Sequence, residues 1–438
     1  MNNLVCVFQN EDHSGNGAGG KEQVIGQDDC LALNVFSKNI PVTGKYSLKP
    51  VMVWIHGGGF QLGASTTDFY GPDFLIDEDV VIVSINYRLG VLGFLSTGDD
   101  VIPGNMGMWD QVLALKWVRK NIKAFGGDPD NVTIFGESAG GMSVSHLVLS
   151  PAASGLFHKA IVQSGPPNSH FGKSEKHPAY YARTLAATHG CDPEASTKDI
   201  YSCLNKLDGP TLIKPLFQEN EFDNLNSRKM FKPVVDDYAT QSFLPKEPLT
   251  LIDEGRFNKV PLIVGSNRDE GLILMNFNKN LRDDVMEHFD QYIPNTFLYR
   301  ETDSHDKGTA KFAQMVKEEI FQGQVPDLDT EDKYKFIELH GDGFANYAST
   351  KFARMMAVKS NLPVYEYRLG IHRTKWILHH PLNQNFVHIY FQVSPRGVLH
   401  PEFSLGWRDE LYSKIHRTVH GTLRWPRPVL QQGVVVSC

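Results

Sequence analysis

The stretch "VTIFGESAGG", residues 132–141, carries the reading of the whole chain. Val132, Thr133, Ile134 and Phe135 are β-branched or aromatic and read as a short buried strand. Ala139, Gly140 and Gly141 then open a run of small residues leading into "MSVSHLVL", a helix candidate. Between the two lies Ser138, with Gly136 and Gly140 two positions to either side. A serine hydroxyl is a weak nucleophile at neutral pH, so it must be held exposed beside a base and near donors that stabilise the oxyanion it creates. A sharp strand-to-helix turn does this, and G-x-S-x-G puts glycine where a side chain would collide with the neighbouring strand and helix. The plain alternative is an ordinary turn between strand and helix, and the short motif alone does not separate the two.

Composition narrows the field. The chain has 438 residues, 41% hydrophobic and 21% charged, with a formal net charge of −7. That balance suits a globular α/β protein and argues against a nucleic-acid partner, since the basic segment "RTVHGTLRWPRP" is short. No apolar run reaches the roughly 18–20 residues that cross a bilayer. The N-terminus, "MNNLVCVFQNEDHSGNGAGG", lacks the apolar core of a signal peptide. Five cysteines leave two pairs at loop-like separations, Cys6 with Cys30 and Cys191 with Cys203, and Cys438 over. Disulfides and buried thiols both fit that spacing.

Further strands recur along the chain: "VMVWIH" (51–56), "VVIVSINYRL" (80–89), "NVTIF" (131–135), "KAIVQSG" (159–165), "VPLIVGSN" (260–267) and "LPVYEYRL" (362–369). They are continuous apolar runs rather than alternating ones, as expected of a mostly parallel sheet buried on both faces in a doubly wound α/β core. The segment "MGMWDQVLALKWVRKNIKAFGG" reads as a helix. Met108, Val112, Leu115, Val118, Ile122 and Phe125 follow three- and four-residue steps before Gly126 and Gly127 stop it. Residues of about 170–250 and 280–360 read as insertions over the carboxyl edge of the sheet, where open α/β sheets bind ligands. No repeat or linker interrupts the chain, so a single domain over 1–438 is expected.

If Ser138 attacks an acyl carbon, one oxyanion donor is the N–H of Ala139, the next residue in the turn. Others are expected from a glycine-rich loop after an earlier strand, and "WIHGGGF" (54–60) stands there. A base needs an acid to orient it. "SNRDEG", after the strand 260–265, offers Asp269 and Glu270, which otherwise read as solvated turn carboxylates.

With these residues in view, the sequence resembles the type-B carboxylesterase and cholinesterase-like family of the α/β-hydrolase fold. The likeness rests on "DDCLALNVF", "WIHGGGF", "NYRLGVLGFL", "GNMGMWDQVLALKWVRKNIKAFGGDPDNVTIFGESAGG", "LFHKAIVQSG" and "VGSNRDEG", over roughly residues 25–370. The resemblance implies Ser138 as nucleophile, Glu270 rather than Asp269 as the acid, and an oxyanion hole from the N–H groups of Gly58, Gly59 and Ala139. It further implies disulfides Cys6–Cys30 and Cys191–Cys203, hence a secreted or secretory-pathway protein. Relative to full-length members the chain begins inside the fold. Phe171 falls where such proteins place an aromatic wall of the acyl pocket. No tryptophan lies between Cys6 and Cys30, where cholinesterases carry their choline-binding ring, so a choline ester specialist is not expected.

The base departs from the family. "GVLHPE" (397–402) puts His400 two residues before an acid, but Pro401 follows it. "GWRDELY" (406–412) carries the other half of the family pattern with Trp407 at the histidine position. His400 is the candidate base; His388 comes next, and His379 and His380 lie nearer the strand. His56 precedes the oxyanion glycines and is read as orienting that loop. Residues 371–438 form an atypical C-terminal segment. The implied chemistry is hydrolysis of small or medium apolar esters through an acyl-enzyme, with a small-molecule ester as partner and no metal or other cofactor required. The rival is a cholinesterase-like binding or adhesion protein, or a catalytically impaired product.

Overall fold

The computed structural model describes residues 6, 8–11, 22–38, 47–169, 172, 174, 177–213, 231–273, 281–297 and 307–370. Where the sequence suggests one domain, these residues fall into two compact units, one drawn from Met1–Glu270 with Gly341–Ile371, the other from Gly271–His340.

Among its described residues, the first unit contains nine strands. β1 (Phe8–Glu11) and β2 (Glu22–Ile25) form an antiparallel hairpin, with Phe8 opposite Ile25 and Glu11 opposite Glu22. The main sheet joins β3 (Leu33–Phe36), β4 (Lys49–Ile55), β5 (Val81–Ile85), β6 (Gly127–Glu137), β7 (Lys159–Gln163), β8 (Leu262–Asn267) and β9 (Val364–Leu369) in the order β3-β5-β4-β6-β7-β8-β9. Every pairing is parallel except β3 with β5. All six apolar runs are therefore strands of one sheet. Every residue of β5 is buried, as are Val51, Val53 and Ile55 of β4, which is why these strands are apolar on both faces.

Strand order places the site. From β4 the chain crosses to β5 on one side, then returns past β4 to β6 on the other. Connections leaving the carboxyl ends of β4 and β6 diverge, and the crevice between them is where an open α/β sheet takes its ligand.

Helices cover the sheet. Ala139–Leu149 follows β6 and is buried at every position, so it is a core helix, apolar almost all round. Met106–Asn121 buries Met108, Val112, Leu115 and Val118. The expected helix runs on to Phe125, but its α-helical part ends at Asn121, whose side-chain amide donates to the Trp117 carbonyl at 2.9 Å. Ile122–Phe125 tightens into a 3-10 turn closed by Gly126 at φ 85°. Gly127 opens β6 instead of stopping a helix, so that strand is longer than the run 131–135.

The insertions expected at 170–250 and 280–360 contain helices Pro178–Thr188, Thr197–Leu204, Gly209–Ile213, Pro248–Asp253, Leu281–Phe297 and Lys307–Phe321. Tyr347–Lys359 corrects that reading, because it is a sheet-covering element: it packs on β8 and β9 and buries Phe352 and Met356. The second unit has its own apolar cluster, with Val285, Ile293, Val316 and Phe336 among its buried members. Among the described residues, no helix is long and apolar enough to cross a membrane. Disulfides join Cys6 to Cys30 and Cys191 to Cys203.

Candidate active site

The carboxyl ends of β4, β6 and β8, with β7 between the last two, supply the serine, the acids and the glycine loop that the sequence singles out. At the end of β6, Ser138 adopts φ 55°, ψ −124°, outside the regions that residues with a Cβ normally occupy. Its N–H donates to the Gln163 carbonyl at 2.9 Å, and its own carbonyl accepts from Met142 N–H at 2.8 Å. The flanking glycines are sterically required. A Cβ on Gly136 would stand 2.6 Å from the Ile55 carbonyl oxygen, and one on Gly140 only 2.0 Å from the same atom. Two glycines thus let the end of β4 pass beneath the turn and leave Ser138 as the residue that takes the strain.

The loop after β4 is built around that turn. A Cβ on Gly57 would fall 3.2 Å from the Ser138 Cβ and 2.7 Å from the Glu137 carbonyl oxygen. Gly58, at φ 113°, accepts Gln61 and Leu62 N–H groups on its carbonyl, at 3.0 and 3.1 Å. Gly59 is exposed, and a Cβ there would meet open space. His56 braces the loop from below. Its ring is buried, stacks on Tyr87 with centroids 4.5 Å apart, and places Nδ1 2.8 Å from the Gly57 carbonyl. Because that carbonyl can only accept, Nδ1 carries the proton. Burial pushes the imidazole down to about 4, so His56 is neutral at pH 7. The Tyr87 hydroxyl donates to the His56 carbonyl at 2.9 Å.

After β8, the structure separates the two candidate acids. Asp269 is exposed and ion-paired with Arg268 at 2.8 Å. Glu270 is 5% exposed, and its Oε1 accepts from the Ser164 hydroxyl at 2.5 Å and from Asn267 N–H at 2.7 Å. Burial raises its pKa, and these two bonds work in the opposite direction by favouring the carboxylate. Glu137, beside Ser138, is pushed up to about 7 by burial of its carboxyl and then by the nearby Glu270 charge. Tyr70 faces the same carboxyl and is pushed up to about 12, mainly by burial.

Ser164 is a site residue that sequence reasoning missed. It follows β7 in "QSG" with φ 52°, and a Cβ on Gly165 would stand 2.3 Å from the Met142 nitrogen. The signal was a serine–glycine pair closing a buried strand next to the one that ends in Ser138. His400, the alternatives His388, His379 and His380, and Phe171 all lie outside the described residues. Of the described histidines, His56, His146 and His340 are buried, each with Nδ1 on a backbone carbonyl and each pushed down to about 4 by burial.

This geometry has relatives. The chain is 38% identical over 356 residues to esterase FE4 of Myzus persicae, matching 80% of this chain and 61% of that protein. It is 36% identical to juvenile hormone esterase of Tribolium castaneum, over 80% and 60% of the two chains, and 36% identical to human carboxylesterase 3, over 80% and 57%. The chain thus spans about three fifths of the length of these relatives. Among solved structures, juvenile hormone esterase from Manduca sexta with OTFP covalently attached superposes with a TM-score of 0.66 at 31% identity, covering 79% of this chain and 64% of that one. PNB esterase superposes at 0.61 and 33%, covering 80% and 67%. The model of the carboxylesterase family itself matches residues 4–401. The strained serine turn, the glycine loop beneath it and the parallel sheet that holds both are thus an α/β-hydrolase arrangement, and the chain belongs to the carboxylesterase family.

Proposed function

We propose that this protein hydrolyses small or medium apolar carboxylic esters through an acyl-enzyme. The observation that carries the reading is the backbone of Ser138. A non-glycine residue at φ 55° persists only where the surroundings enforce it, and here Gly57, Gly136 and Gly140 are crowded to the point of excluding a side chain. Ser138 is the nucleophile and Glu270 the acid. Their strands are two apart in the sheet, a backbone separation of about 10 Å at roughly 4.8 Å per strand, which an imidazole can bridge. His400 is the proposed base and His388 the second candidate.

The base takes the Ser138 proton as Oγ attacks the ester carbonyl. Negative charge gathers on the carbonyl oxygen between the N–H groups of Gly58, Gly59 and Ala139. Collapse breaks the bond to the alcohol oxygen, which leaves with the proton from the base. Water, deprotonated by the same base, then attacks the acyl-enzyme, and collapse releases the acid and returns the proton to Ser138. Phe171 is assigned to the acyl pocket. The two disulfides support a secretory-pathway protein, since such bonds persist in oxidising compartments.

The test is hydrolysis of a short-chain aryl ester, with a phosphonate probe to tag the serine. Turnover and labelling that both vanish in Ser138→Ala support the proposal. His400→Ala against His388→Ala assigns the base. A folded, monodisperse protein that neither turns over nor labels overturns it in favour of a binding protein.

A further inference from the structure

The chain returns to the sheet before β9 through a π-turn, Asp342–Asn346, which runs into the helix Tyr347–Lys359. A π-turn takes one residue more than an α-turn and is frequent at functional positions. Here it buries Asp342, Ala345 and Asn346. Asn346 is 4% exposed and uses both ends of its amide: Oδ1 accepts from the Ser266 hydroxyl at 2.7 Å, and Nδ2 donates to the Arg268 carbonyl at 3.2 Å. A further hydrogen bond links it to Asp342. The Arg268 carbonyl accepts a second donor, Arg368 Nη2, at 3.4 Å, and that nitrogen lies 3.6 Å from Asp342 Oδ1. Arg268 N–H is held by the Leu369 carbonyl at 2.8 Å.

Ser266 and Arg268 flank Asn267, and the Asn267 N–H is one of the groups that hold the Glu270 carboxylate. A buried amide from the π-turn thus grips the chain on both sides of the residue that aims the acid.

We infer that Asn346 is a positioning residue for ester hydrolysis, clamping the Ser266–Arg268 backbone so that Glu270 meets the base at the right distance and angle. The inference rests on the proposed roles of Ser138 and Glu270. Asn346 bonds to Ser266, the Arg268 carbonyl and Asp342, so its effect on the reaction passes through Glu270. A well-aimed carboxylate favours the imidazolium and raises the pKa of the base; a displaced one lets it fall. Among the described residues, the titratable and charged groups facing Glu270 are Glu137 at the end of β6 and Tyr367 and Arg368 on β9, with Asp342 3.6 Å behind Arg368, and the substitutions below replace none of them.

The experiment compares the full chain with Asn346→Ala, Ser266→Ala and the double variant, measuring kcat and KM for a short-chain aryl ester across pH, with phosphonate labelling as a second readout. Asn346→Ala is expected to lower kcat by about ten- to a hundredfold with KM within about twofold. The acid limb of kcat/KM should move to lower pH by about half a unit. Ser266→Ala should move both readouts the same way and less, and the double variant should match Asn346→Ala alone, because the two side chains share one bond. If Asn346→Ala yields no folded protein, Ser266→Ala decides by itself. Loss of stability alone would leave the acid limb in place. An active parent chain with an unmoved acid limb in the folded variants overturns this inference and leaves the hydrolytic reading intact. A parent chain that neither turns over nor labels overturns both.

Discussion

The turn after β6 and the loop after β8 each hold one candidate catalytic side chain, and they hold it by different physics. Ser138 is fixed by exclusion, because the glycines around it sit where any Cβ would strike the backbone of β4 or the following helix. Glu270 is fixed by attachment. Ser164 and Asn267 hold it through hydrogen bonds, and Asn346, from a third part of the chain, bonds to the residues on either side of Asn267. Steric exclusion leaves little freedom in the choice of residue, whereas several donors can replace one another around a carboxylate.

The largest effect should come from adding one methyl group to the first region. Gly140→Ala puts a Cβ 2.0 Å from the Ile55 carbonyl oxygen, and we expect it to destabilise the sheet unit by more than about 4 kcal/mol or to abolish folding, read by urea unfolding. An alanine variant of near parental stability would break the contrast. In the second region, Ser164→Ala should fold and should still label with a phosphonate while kcat falls about tenfold, since Glu270 keeps its Asn267 bond.

Acid should strike the first region through His56. Its pKa is depressed from 6.5 to about 4, so between those values the unfolded chain binds more protons than the folded one. Stability is therefore fully present above about pH 6.5 and lost as pH falls toward 4. Replacing His56 with glutamine should flatten that slope in thermal melts taken from pH 7 to 4. A slope unchanged by His56→Gln would assign the acid sensitivity to other groups, of which His146 is one with the same shift. The smallest effect belongs to Asp269→Asn, which should stay within about twofold of the parent in kcat/KM, because this carboxylate is exposed and paired with Arg268 at the surface.

The same contrast explains what the sequence disclosed. Six apolar runs became six strands of one sheet, because burial on both faces leaves continuous hydrophobic stretches. Gly57, Gly136 and Gly140 were legible for the steric reason given above, whereas Gly59 has open space where a Cβ would stand. β3, the antiparallel edge strand, was not, since "LNVF" is only half-buried and carries a polar residue. Nor were Ser164 and Asn346, which are single polar residues far from Glu270 in sequence whose role appears only once the sheet brings β7, β8 and the π-turn side by side. In the sequence Glu270 is told from Asp269 only by resemblance; in the structure the first is buried and the second is exposed and paired with Arg268.

The helix Ala139–Leu149 is buried along its whole length, and that bears on how this protein ages. Its amides are expected to exchange with solvent mainly when the sheet unit opens as a whole, so hydrogen–deuterium exchange there should report global rather than local opening. The serine turn at its head therefore has no easy way to fray alone. Heat should silence the site at the temperature where the surrounding unit melts, and shelf life becomes a matter of that unit's unfolding rate.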